Sequence, residues 1–139
     1  VERLENYPEM EARMRQHIAE SREQAHRLEV LLEEFGSAHS GLKDTVMSFV
    51  GNMAVMTHAA ASDEVMKNTF ANYAFEHFEI ASYKSLLELA EMTGHDAAVS
   101  ALRQSLSEEE AMAQWIDRSL SKVTRTYVAR LSVGEKSGV

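Results

Sequence analysis

Five side chains of metal-ligand type recur at helical spacing in this sequence. Glu76 and Glu79 stand three residues apart in YAFEHFEIASY (73–83), Glu109 is the middle of EEE (108–110), and His17 and Glu20 lie in QHIAES (16–21). Residues at i and i+3 of a helix project within about 60° of each other, so each pair shares a face. Carboxylates with one imidazole make a hard donor set that suits iron or manganese. In carboxylate-bridged helical bundles such ligands converge from facing helices at this spacing. The question is whether these faces point inward.

For residues 63–92 they do. Val65, Ile80, Tyr83, Leu86, Leu87 and Ala90 fall in one sector, and Glu76 and Glu79 lie in its middle. The alternative is a helix edge from which both carboxylates reach water. Further on, Ala98, Leu102, Ser105, Glu109, Ala113, Ile116, Leu120, Val123 and Tyr127 repeat at spacings of four and three, a buried seam with Glu109 on it. Glu108 and Glu110 each turn about 100° away, toward water. Ser107 and Glu110 also have the spacing of a capping box, which would leave Glu109 in the first turn of a restarted helix. On the first long segment Met14, Ile18, Ala25, Leu28, Leu32 and Phe35 form the apolar stripe, with His17, Glu20 and Gln24 along its edge. Glu23 and His26 project to the opposite face. His26, His39, His58, His77 and His95 read as surface or loop histidines, and Trp115 lies off the seam as a candidate subunit contact. Burying unpaired carboxylates together costs several kcal/mol each. No Lys or Arg lies on these seams, which leaves protonation or metal ions to meet the charge.

The elements that must hold these residues are helices. One proline and six glycines in 139 residues, with 45% hydrophobic content, fit an all-α chain with a sizeable core. Residues 1–6 read as the tail of a helix. Pro8 opens a second, with Glu9 and Glu11 at its positive end, and it runs to about Phe35 before Gly36. GSAHSG is a linker, and a third helix spans about 42–60. Ser62, Asp63 and Glu64 start a fourth that runs to Met92, and TGHD with Gly94 is a tight connection. The last helix spans about 96–131. The domain is thus 1–131, followed by a tail at 132–139. The long connection from 35 to 62 reads as a crossover along the bundle. No apolar run reaches the ~20 residues of a membrane span. A net charge of −8 without a basic stripe argues against nucleic acid. The absence of cysteine excludes disulfides and thiol chemistry, and with no secretory signal legible it makes the cytoplasm the expected location. The chain opens on Val1, which leaves room for a segment upstream.

YAFEHFEIASYKSLLELAEMTG followed by LSEEEAMAQWI, together with QHIAESREQAHRLE, resembles the YciE/YciF-like bacterial stress proteins, a branch of the ferritin-like superfamily, over about residues 1–131. The resemblance implies a four-helix ferritin-like bundle similar to rubrerythrin, usually dimeric, with a di-metal centre to which Glu20, Glu76, Glu79 and Glu109 correspond. In two places this chain departs from the family. The family's first helix, source of a further glutamate, is absent apart from its end at residues 1–6. The last helix lacks a Glu-x-x-His, since Met112 stands three residues after Glu109.

Two classes of function follow. In one, a dinuclear iron or manganese site is built from Glu20, Glu76, Glu79, Glu109 and His17, with Glu109 bridging, and acts on oxygen or peroxide. In the other, the bundle is a metal-free interaction protein of the stress response. In either case a homodimer or higher homo-oligomer is expected, because Phe75, Phe78 and Leu89 lie outside the inner sector. Whether the chain is an enzyme is left open by the sequence.

Overall fold

The computed structural model describes residues 4–35 and 65–135. The described residues are helical, with no strand: α1 (Pro8–Phe35), α2 (Val65–Met92) and α3 (Asp96–Ser132). The helix expected at 42–60, the start signal at 62–64 and the crossover reading of 36–62 lie outside the described residues.

α1 begins as its sequence requires. Pro8 occupies the first helical position, where a missing N–H costs nothing, and Glu9 and Glu11 sit in the first turn. Of the helix tail expected at 1–6, residues 1–3 lie outside the described residues, and the rest is not helical. Glu5 and Asn6 form a turn, closed by the Tyr7 N–H donating to the Leu4 carbonyl at 2.8 Å. The reason is Pro8 itself: the residue before a proline is pushed out of helical conformation.

α2 and α3 are antiparallel neighbours joined by Thr93–His95. Gly94 takes φ +73°, and the bonds from His95 N–H to Ala90 O (2.9 Å) and Gly94 N–H to Glu91 O (3.3 Å) form a Schellman stop. The same device ends α3, where Gly134 at φ +74° follows Ser132 and Glu135 N–H reaches Arg130 O at 3.0 Å.

The interior is layered along the helix axes. At one end Leu28 and Leu31 of α1 pack with Tyr83, Leu86, Leu87 and Ala90 of α2 and with Ala98 and Leu102 of α3. At the other end Tyr7, Met10, Val65 and Val123 form a second apolar cluster, flanked by Met14, Met66 and Tyr127. Trp115 packs against this second cluster within the chain. Fully burying each large side chain in these plugs is worth about 1.5–3 kcal/mol. Between them, in sequence on all three helices, lies a buried polar layer of His17, Gln24, Glu76, Glu79, Ser105 and Glu109.

Candidate metal centre

Each helix carries its polar residues on the buried seam for a legible reason. In α2 and α3 the apolar positions fix which face is inside, and Glu76, Glu79 and Glu109 are in register with them. These three carboxylates are 3%, 2% and 0% exposed, which removes the water-lined edge, and the unbroken helix Asp96–Ser132 removes the restarted one. α1 differs from the sequence reading. Its buried positions are Met10, His17, Gln24, Leu28 and Leu31, whereas Ile18 is 41% exposed. The seam runs 10, 14, 17, 21, 24, 28, 31, a strict alternation of four and three whose middle third is polar. Ranking faces by apolar content alone moved the stripe toward Ile18. His17 is already a candidate from its spacing, and the same alternation of four and three also places Gln24 inside.

One ligand atom from each of His17, Glu76, Glu79 and Glu109 lies within 4.8 Å of every other. His17 Nε2 is 3.3 Å from Glu76 Oε2 and 3.8 Å from Glu109 Oε2. Both of these oxygens are buried without a hydrogen-bond partner. Donors around an ion of this type sit about 2.0–2.2 Å from it, hence about 3–4 Å from one another. The set could therefore close around an ion, and the two orphaned oxygens would then gain the partner that buried polar atoms otherwise require. This buried His/Glu group could hold a metal.

Glu20 stands outside that group. Its Oε2 is 3.2 Å from His17 Nδ1, on the other side of the ring, and accepts from Arg13 Nη1 at 2.9 Å, while Oε1 accepts from Gln16 at 2.8 Å. A ring that gives its Nδ1–H to Glu20 keeps the Nε2 lone pair for the cluster. Of the neighbouring glutamates, Glu110 pairs with Lys84 at 3.1 Å near the surface. Glu108 does not face open water as its helical angle implies: both its oxygens receive Arg27 N–H groups at 2.8 Å, and Gln104 adds a third donor. The fork length of Arg27, reaching across from α1, draws it in. Glu23 and His26 are exposed, as expected for the outer face.

The electrostatics follow from burial. Desolvation, then the charges of Glu109 and Glu76, raises the Glu79 pKa far above the carboxylate range. Burial and the adjacent Glu76 raise that of Glu109 as well. At His17 burial pulls downward, but Glu76, Glu109 and Glu20 outweigh it and the net shift is upward. Glu20 moves the other way, because hydrogen bonds from Arg13, His17 and Gln16 overcome its partial burial. Metal-free, burial thus favours the protonated forms of Glu79 and Glu109. An ion would replace those protons.

A protein whose described residues are helical, with a histidine and three carboxylates sealed between apolar plugs, is the class that fold and site define. The chain belongs to the family described as a domain of unknown function (DUF892), whose model matches residues 1–129. That family is the YciE/YciF-like, ferritin-like group which the helix motifs resemble. No solved structure matches the chain.

Proposed function

We propose that this protein is a stress-associated, ferritin-like metal protein that holds iron or manganese, as a carboxylate-bridged pair, among His17, Glu76, Glu79 and Glu109. The observation that carries the reading is the pair of buried, unpartnered oxygens, Glu76 Oε2 and Glu109 Oε2, facing His17 Nε2. Three carboxylates and a neutral imidazole carry a charge that divalent ions offset, and their hardness favours iron or manganese. When bound, such ions supply redox chemistry toward oxygen or peroxide. The chain's own residues do the rest. His17 presents Nε2, Glu20 holds the opposite ring nitrogen, and the apolar plugs keep bulk water from the layer. We place Glu20 as the support of His17 rather than as a direct ligand. The four-helix ferritin-like topology and a homodimer belong to the same proposal.

A metal-free structural role is the second reading. It is favoured by Met112, fully buried where a Glu-x-x-His would put an imidazole, and by the capacity of Glu79 and Glu109 to stay protonated. Elemental analysis of protein purified from cells supplemented with iron or with manganese separates the two. The metal reading expects iron or manganese in stoichiometric amount, lost in Glu109→Ala and retained in Glu110→Ala. Equal trace metal in all three proteins would support the structural role.

A further inference from the structure

Five buried and half-buried side chains that the metal reading does not use lie in a ring. Arg27 of α1 donates from Nη1 to Ser105 Oγ of α3 at 2.9 Å. Ser105 neighbours the Tyr83 phenol of α2 and draws its raised pKa back down. Tyr83 donates its O–H to Gln24 Oε1 of α1 at 2.9 Å. Gln24 Nε2 donates to Glu108 Oε2 of α3 at 3.1 Å, and Glu108 returns to Arg27 through its two 2.8 Å bonds. The ring thus draws on all three helices. The remaining Gln24 N–H leaves the ring and donates to Glu109 Oε1.

The direction of every link is set by chemistry. A guanidinium can only donate, so Ser105 must accept from Arg27 and is free to send its own proton to the Tyr83 oxygen. Tyr83 then has its proton for Gln24. A Gln24 amide whose oxygen receives a phenol O–H must aim its NH2 at the two glutamates. The flipped amide would place its oxygen against both carboxylates. The amide therefore has one orientation, and Glu109 has two unlike oxygens: Oε1 held by Gln24, and Oε2 unpartnered beside His17.

We propose that Gln24, locked by Tyr83 and the Arg27–Ser105–Glu108 side of the ring, is a positioning residue that holds Glu109 as a one-oxygen ligand, with Oε2 alone offered to the metal. This rests on the metal reading above. It departs from the sequence expectation that both oxygens of Glu109 are open to the metal. It also gives Glu108 a part in the site, although its carboxylate never meets the ion.

Cobalt(II) is a suitable probe, because its visible spectrum reports coordination number and ligand mode. It is titrated into wild-type protein, Tyr83→Phe, Gln24→Leu and the control Tyr127→Phe. Proton–nitrogen NMR of the metal-free proteins follows the Gln24 side-chain amide, and circular dichroism checks the fold. The expected result is a loss of affinity of about 10–100-fold in Gln24→Leu and about tenfold in Tyr83→Phe. Both variants should have an altered cobalt spectrum, while Tyr127→Phe matches the wild type. In metal-free Tyr83→Phe the Gln24 amide protons should lose their carboxylate-bonded shift. If wild-type protein binds cobalt and both variants give its spectrum and affinity, with the Gln24 amide unmoved in Tyr83→Phe, the positioning role is overturned and the metal reading stands. Failure of the wild type to bind cobalt, iron or manganese would overturn both. Should Gln24→Leu not fold, the Gln24 amide shift and cobalt spectrum of Tyr83→Phe decide; should Tyr83→Phe not fold, the cobalt affinity and spectrum of Gln24→Leu decide.

Discussion

Glu79 illustrates how a single side chain sets the behaviour of the metal-free protein. Its pKa and those of Glu109 and His17 are all raised in the fold. Stability from a raised group is fully present below its unfolded value, 4.5 for the carboxyls and 6.5 for the imidazole, and is lost as pH climbs through the folded value. Glu20 and Glu108 are lowered, so their contribution is present above 4.5 and is lost as pH falls. Metal-free protein should therefore be most stable at mildly acidic pH, and its melting temperature should drop as pH rises through neutrality into the alkaline range. Glu79→Gln should match the wild type at mildly acidic pH and exceed it increasingly above neutrality. Added Mn2+ should flatten the wild-type curve. Thermal melts across pH, with and without metal, check all three. A second test at this scale concerns Glu20. If it supports His17 through Nδ1, Glu20→Ala should weaken Mn2+ binding by about 10–100-fold without abolishing it, as read by calorimetry. An unchanged affinity would show that the His17 ring needs no such support.

The helices explain why these residues could be found, and where reading the sequence went astray. On α2 and α3 the inward face is set by apolar side chains on both sides of the carboxylates, so Glu76, Glu79 and Glu109 were legible as buried from spacing alone. On α1 the seam itself turns polar through His17, Ser21 and Gln24, and apolar content then points to the wrong flank and to Ile18. Glu108 was misjudged for a different reason. Its angle on α3 faces outward, and only the reach of Arg27 from another helix, invisible in local periodicity, brings it into the buried network. Element ends were legible where chemistry is local, as at Pro8 and Gly94. At Gly94 a Cβ would meet nothing within 4 Å, so Gly94→Ala carries only the left-handed backbone penalty, about 1–2 kcal/mol of unfolding free energy in denaturant melts. Leu86, nearly inaccessible in the apolar plug beside the polar layer, should cost about 2–5 kcal/mol as Leu86→Ala.

At the scale of the whole molecule the described helices form a polar layer clamped between two apolar clusters. No described helix is long and apolar enough to cross a membrane. Among the described residues Phe70, Phe78 and Val128 are exposed, and Phe78 stacks on Phe75 with ring centroids 6.2 Å apart. We expect self-association, and sedimentation at micromolar concentration should give a homodimer or larger species. A monomer alone would contradict it. The all-helical class was legible because period, glycine placement and the scarcity of proline agree. The partner of each carboxylate was not, because it comes from another helix. The central claim is that His17, Glu76, Glu79 and Glu109 hold metal, and anomalous X-ray scattering from crystals grown with iron or manganese tests it most directly. The account predicts a peak at the corresponding absorption edge within bonding distance of His17 Nε2 and Glu109 Oε2. A well-ordered polar layer with those two atoms resolved and no anomalous peak between them would contradict it.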